Sequence, residues 1–190
     1  MFDRLFRNWV YGGSLAGLAL LALFPLVGEH LSEPARLTLL FLPVYMLHQF
    51  EEHDADRFRL FFNRTIGLGR EVLSPAAVFM VNVPGVWGVI IVSTYLSAKV
   101  DPALGLIAVY LAVVNAIAHA GQALKLRAYN PGLATGLVLF IPLGIYSIMR
   151  FDALGAGGLV WQLVGIGVAI AIHAAIVIYA MHRRRTLGCG

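Results

Sequence analysis

Long apolar stretches separated by short polar connections make up most of the chain. A transmembrane helix needs about 20 predominantly apolar residues to cross about 30 Å of hydrocarbon. Six stretches meet this requirement, at about 9–28, 35–52, 75–96, 103–124, 131–149 and 158–181. The pattern therefore predicts an all-α, polytopic membrane protein, a bundle of six transmembrane helices that form a single domain over residues 1–190.

Three of the predicted helices carry the same start signal, a capping residue followed by proline. Such a residue accepts a hydrogen bond from an otherwise unpaired amide, and proline is favoured at the first helical position. The signals are Ser74-Pro75, Asp101-Pro102 and Asn130-Pro131. They predict the starts of the third, fourth and fifth helices.

The composition excludes a soluble domain. Hydrophobic residues make up 59% of the chain and charged residues 13%, with a mean hydropathy of +0.81. Soluble domains contain roughly 25% charged residues.

The basic residues are distributed unevenly between the two sides of the predicted bundle. If the N-terminus is cytoplasmic, eleven of the fourteen Lys and Arg residues lie on the cytoplasmic side, and only Arg36, Lys99 and Arg150 lie opposite. This asymmetry follows the positive-inside rule. It predicts that both termini are cytoplasmic. It also indicates that the excess of basic residues reflects the orientation of the protein in the lipid bilayer, which is its expected partner. A nucleic-acid partner is not expected, and the oligomeric state is left open.

The longest connection, about residues 53–73, interleaves aromatic and aliphatic residues with arginines. One interpretation is an amphipathic segment that lies in the cytoplasmic interface. The other is a solvated loop whose arginines only set the topology.

Residues 48–53, with the sequence HQFEEH, place ionisable groups at the end of the second apolar segment. Each such group costs at least a few kcal/mol in hydrocarbon, so it is retained there mainly for function. At 100° per residue, His48, Glu51 and Glu52 fall within an arc of about 100°. His53 points about 140° away, which predicts that it lies at the water boundary.

The fourth segment offers a counterpart to this group. Asn115, His119 and Gln122 share a helix face about 60° wide. His48 lies roughly 7 Å and His119 roughly 9 Å from the cytoplasmic edge, given a rise of 1.5 Å per residue. We therefore expect His48, Glu52 and His119 to lie within about 5 Å of one another or to share one ion.

Three further polar residues belong to the same predicted chamber. Asn82 and His173 lie about 12–13 Å from the cytoplasmic edge on the same rise, and Asn130 lies below them. Simpler interpretations remain open for each of the supporting residues. His173 could bind a backbone carbonyl, Asn82 could satisfy backbone groups freed by a nearby proline, Asn130 could serve only as a helix cap, and Gln122 could be merely interfacial.

Three motifs in this order resemble a known family. They are the HxxEE pentapeptide at 48–52, Asn115-x-x-x-His119 and the tetrapeptide YNPG at 129–132. Together they resemble the HXXEE-motif family of bacterial multi-pass membrane proteins, whose function is uncharacterised. The resemblance implies a bacterial inner-membrane location. It also implies that the polar residues of these motifs form a site, but it supplies no reaction.

The first functional hypothesis is a metalloenzyme. His48 and Glu52 are spaced to share an ion on one helix face. With His119 they make a set of two histidines and one carboxylate, which suits Zn²⁺ or Fe²⁺. Glu51 is then a second ligand or the general base.

Two other classes remain open besides a purely structural role. A metal-free isomerase or cyclase of a terpenoid or sterol-like substrate would use His48, Glu51 and Glu52 as an acid–base set, because adjacent carboxylates separate in pKa. A proton- or cation-coupled transporter would use the same buried groups along a pathway. In either enzyme the substrate is a hydrophobic, lipid-like small molecule that enters from the bilayer.

Overall fold

In a computed structural model, which describes residues 2–188, the secondary structure is helical throughout, with no strand among those residues. Six long helices and one short one account for the described residues outside the connections. They are α1 (Phe2–Gly28), α2 (Glu33–His53), α3 (Arg57–Thr65), α4 (Pro75–Lys99), α5 (Pro102–Leu126), α6 (Leu133–Ala153) and α7 (Leu159–Thr186).

Five of these helices, α1, α4, α5, α6 and α7, are long and apolar enough to cross a membrane. The chain is therefore an all-α, multi-pass membrane protein. Six such segments were predicted, but α2 is not apolar enough to be counted as a sixth. The reason is the polarity of its two ends, where Glu33 and Arg36 stand at the start and the HQFEEH run at the finish.

Helix α2 is the inner helix of the bundle. It packs against α1, α4 and α5, and its central residues Phe41 and Tyr45 are buried in the main hydrophobic core. His48 and Gln49 are fully buried as well. These two polar side chains therefore contact protein and not lipid, which is the condition under which a membrane protein tolerates them.

The predicted start signals act differently from one another. The Ser74 hydroxyl accepts from the Ala77 amide at 3.2 Å, and the Asp101 carboxylate accepts from the Ala103 amide at 2.8 Å. The predicted cap at Asn130 is wrong. Helix α6 begins three residues later, at Leu133, because the side chain of Asn130 is bound to another helix.

The segment that follows α2 folds back under one end of the bundle. Two consecutive residues in left-handed conformation, Ala55 (φ 51°) and Asp56 (φ 63°), reverse the chain before α3. Helix α3 buries Phe62 against the bundle and exposes Leu60. The Arg184 guanidinium then donates to the Ile66 carbonyl at 3.0 Å, so the segment is joined to the C-terminal end of α7.

Two helices contain a π-helical stretch beside the buried polar residues. The stretches cover Val81–Trp87 in α4 and Gly136–Phe140 in α6. Such wider turns are frequent at functional sites. They place Asn82 next to Gln49, and the Phe140 ring 4.4 Å from the ring of His48.

A glycine sets the distance between α5 and α7. A Cβ atom on Gly165 would lie 2.6 Å from Cδ2 of Tyr110 and 3.0 Å from the Leu106 carbonyl oxygen.

We expect Gly165→Val to lower the free energy of unfolding by about 1–3 kcal/mol, as overpacking does. Gly167→Val is the matched control, because nothing lies within 4 Å of its Cβ position. Thermal unfolding in detergent measures both, and an equal loss in the two variants would contradict this packing.

Candidate metal centre

Three buried side chains converge where α2 and α5 face each other. His48 and Glu52 lie one turn apart on α2, and His119 lies on α5. Nε2 of His48 is 3.5 Å from one carboxylate oxygen of Glu52, and Nε2 of His119 is 3.4 Å from the other. One potential ligand atom from each residue lies within 4.8 Å of the other two. The expected convergence of these residues is therefore observed.

The tautomer of His48 follows from its contact with Thr135. Nδ1 of the ring lies 2.8 Å from the Thr135 hydroxyl oxygen, and that hydroxyl also lies against a carboxylate oxygen of Glu51. A hydroxyl has one proton, and the carboxylate can only accept it. The threonine oxygen must therefore accept from Nδ1–H of His48, which leaves Nε2 of the neutral ring as a bare lone pair.

Asn130 fixes the second histidine in the same way. Its amide nitrogen donates to the backbone carbonyl of His119 at 2.8 Å, so its carbonyl oxygen faces Nδ1 of the ring at 2.6 Å. That oxygen can only accept. Nδ1 of His119 therefore carries a proton, and Nε2, which points towards Glu52, is a lone pair when the ring is neutral.

With both rings neutral, two imidazole lone pairs and a carboxylate face one another. The distances do not resemble charge-assisted hydrogen bonds, which measure about 2.7–2.9 Å. Ligands held 2.0–2.1 Å from a tetrahedral Zn²⁺ lie about 3.3–3.4 Å apart. Each histidine is 3.4–3.5 Å from a different oxygen of Glu52, and one ligand atom from each of the three residues lies within 4.8 Å of the others. Nε2 of His48 is buried and has no hydrogen-bond partner. The donor set and its spacing therefore fit a divalent cation.

Glu51 faces away from this cluster. Its oxygens accept from the Tyr129 hydroxyl at 2.5 Å, from the amides of Ala134 and Thr135 at 3.1 and 2.7 Å, and from the Thr135 hydroxyl. The carboxylate thus binds the first turn of α6, where free amides favour an anion. Of the two adjacent glutamates, only Glu52 reaches the histidines.

Tyr129 remains a donor to Glu51 over the physiological pH range. Partial burial, together with the hydrogen bond to Glu51, raises the pKa of Tyr129 to about 12. The phenol is therefore protonated at neutral pH, and the contact between the connection before α6 and the end of α2 persists.

Gly132 allows the backbone to cross directly over both histidine rings. Its φ of +98° lies in the left-handed region, and a Cβ atom would stand 2.7 Å from Cε1 of His119 and 3.0 Å from Cε1 of His48. Only glycine combines this conformation with this approach. The residue therefore closes the cluster on the side of α6.

His53 does not lie at the water boundary, so this prediction is wrong. It is 6% exposed, and its Nε2 is 3.2 Å from Glu52. Its ring lies 5.2 Å from that of Trp9 and 5.4 Å from that of Phe58. The helical angle was correct for an isolated helix, but α3 folds back and replaces water at this position.

A cavity of about 240 Å³ adjoins the cluster, between α4, α5 and α7 and above α3. Glu52 and His119 reach it from one side, and the remaining lining is largely apolar. The four polar residues predicted to share the chamber, other than Asn130, all line it: Asn82, Asn115, Gln122 and His173.

Sequence reasoning missed the residues that hold the ligands in place. Thr135, Gly132 and Gln49 carry no recognisable pattern of their own. The Gln49 amide binds the side chains of Asn82, at 2.9 Å, and Trp87, at 2.6 Å. The one available signal was the YNPG turn, because a turn that abuts two buried histidines must supply their second hydrogen-bond partners.

A family model described as a protein of unknown function with HXXEE motif matches residues 39–147, more than half of the chain. The chain belongs to this family. The matched range contains the whole cluster together with Glu51, Asn130 and Thr135, whereas His173 lies beyond it. No curated protein and no solved structure is significantly similar to the chain.

The contact between Thr135 and His48 has a measurable consequence for metal affinity. Thr135→Val keeps the shape of the side chain but leaves Nδ1–H of His48 without its acceptor. Loss of such a partner typically weakens metal binding about 10–100-fold. Titration with Zn²⁺ against a chromophoric chelator measures this change. Thr94→Val is the control, because the Thr94 hydroxyl bonds only within its own helix. Equal affinities in the two variants would contradict the assignment.

Proposed function

We propose that this member of a family of unknown function is a membrane-embedded, metal-dependent enzyme that acts on a lipid-like substrate. His48, Glu52 and His119 hold the ion, which is Zn²⁺ or Fe²⁺. The observation that carries the proposal is the set of two imidazole nitrogens and one carboxylate, buried together with one ligand atom from each within 4.8 Å of the others. A cation is the one partner that all three can share.

The arrangement also supports a catalytic and not merely structural ion. Structural zinc sites usually have four protein ligands, whereas catalytic sites have three and keep a position open. Glu52 and His119 line the apolar cavity, so the open side of the cluster faces the space where a substrate fits. An ion bound there would polarise a substrate oxygen or lower the pKa of a water molecule.

In this proposal Glu51 is a positioning residue and not the general base. All its hydrogen bonds go to the connection before α6 and to that helix's first turn. It holds Thr135 in place, and Thr135 in turn orients His48. The two glutamates of the motif therefore have separate roles: Glu52 binds the ion, and Glu51 positions Thr135.

We further propose that α2 is a sixth crossing in a single domain, with both termini cytoplasmic and the protein in the cell membrane. The helix has 21 residues and is therefore about 31 Å long. The Tyr11 hydroxyl of α1 binds Asp54 at 3.1 Å, so α1, α3 and the end of α7 meet at one end of the bundle. That end carries most of the basic residues, which supports a cytoplasmic assignment.

The metal-free alternative has one observation in its favour. His53 lies 3.2 Å from Glu52, so a proton shared among this carboxylate and three histidines would be another cation at the same place. The protein would then be a proton-transfer isomerase or cyclase of a hydrophobic substrate.

Elemental analysis of protein purified without chelator separates the two enzymes. We expect about one equivalent of Zn or Fe per chain, and loss of that metal in His119→Ala and Glu52→Gln, because two remaining protein ligands bind far more weakly. His182→Ala and Glu71→Gln are the matched controls, since both residues are exposed and lie outside the cluster.

Two results would overturn the metal-dependent enzyme. One is wild-type protein that contains no stoichiometric metal and gains no thermal stability from added Zn²⁺ or Fe²⁺, which would favour proton transfer. The other is bound metal that His119→Ala leaves unchanged, which would place the ion elsewhere.

A further inference from the structure

Two of the polar side chains that line the cavity have an acceptor atom without a hydrogen-bond partner. Oδ1 of Asn115 is buried and has no partner. His173 donates Nδ1–H to the Ala169 carbonyl at 2.8 Å, so the other nitrogen of its neutral ring is a lone pair. Asn82 is already committed on both sides, to Gln49 and to its own helix. A ligand that pairs with these two acceptor atoms must therefore bring a donor.

The cavity contains no positive side chain for an anionic headgroup. Among the described residues that line it, none is Lys or Arg, and Glu52 is the one with a carboxylate. Arg59, on the adjacent α3, is already paired with Asp56 and Glu71. Apart from the proposed ion, a buried phosphate or carboxylate therefore has no cationic partner here to offset the cost of removing its charge from water.

The remaining walls suit a hydrocarbon chain that comes from the bilayer. They consist mainly of aliphatic residues of α4 and α7, including Val81, Val86, Ile172 and Ile176. Val177 also lines the cavity, and 44% of it is exposed. This part of the apolar wall is therefore not sealed by other side chains.

We propose that the cavity binds an uncharged, lipid-like alcohol, whose hydroxyl donates to Asn115 or His173 and whose hydrocarbon chain lies between α4 and α7. The assignment rests on the proposed function and names the class of its substrate. Asn115 lies one helical turn from His119, about 6 Å along α5, so the hydroxyl binds close to the ion. The lining offers fatty acids and phosphate esters no Lys or Arg partner, so we expect them to bind less well than the alcohol.

Photo-crosslinking with three chain-matched probes tests this substrate class. The probes are diazirine-bearing decyl compounds that end in an alcohol, a methyl ether or a phosphate, applied to the full chain in lipid nanodiscs. Mass spectrometry then locates the labelled peptides. We expect the alcohol to label the cavity residues of α4 and α7 about fivefold more than the ether, the difference that one hydrogen bond typically makes. The phosphate should label them least.

A double variant and its control test whether Asn115 and His173 cause the preference for the alcohol over the ether. Asn115→Leu combined with His173→Leu should reduce labelling by the alcohol to the level of the ether. His182→Leu combined with Asn8→Leu is the matched control, because both residues lie outside this cavity. The comparison of the three probes on wild-type protein stands even if the double variant does not fold.

Equal labelling by alcohol and ether, stronger labelling by the phosphate, or labelling confined to lipid-facing residues would each overturn the proposed substrate class. Metal content is measured in the same samples, which keeps the two proposals apart. Alcohol-selective labelling of protein without metal would contradict the metal-dependent enzyme only. Metal-loaded protein without any preference for the alcohol would contradict the substrate class only.

Discussion

The burial of two imidazole nitrogens beside a carboxylate is the constraint on which the rest of the structure depends. Such acceptors lose much of their hydration, which costs several kcal/mol unless a shared cation offsets it. His48, His119 and Glu52 meet under these conditions. The neighbouring residues Thr135 and Asn130 strengthen the constraint, because each takes up the single N–H of its imidazole and keeps the second nitrogen free.

This constraint accounts for features that are otherwise costly. Helix α2 is too polar to match the other spans, and it is surrounded by protein for that reason. The connection before α6 approaches both imidazole rings so closely that only glycine fits at position 132. Glu51 anchors that connection and the first turn of α6. The adjacent glutamates of the family motif therefore contact different elements, and Thr135 joins the candidate metal centre to the start of α6.

Much of this arrangement could be predicted from the chain because it depends on local periodicity and depth. Apolar length located the helices, and the rise per residue placed His48 and His119 at the same level. The errors concern residues whose neighbours come from distant segments. Asn130 resembles a helix cap until His119 occupies its side chain. His53 resembles an interfacial residue until α3 covers it, and the separate environment of Glu51 depends on α6 alone.

X-ray absorption spectroscopy on the metal that accompanies the purified protein tests the central claim most directly. It reports the atoms bound to the ion without reference to any substrate or activity. The account predicts about two imidazole nitrogens and one carboxylate at about 2.0–2.2 Å from the ion, with scattering from the imidazole rings that disappears when His119 is replaced. A first shell without histidine, or wild-type protein that binds no Zn²⁺ or Fe²⁺ at all, would contradict it.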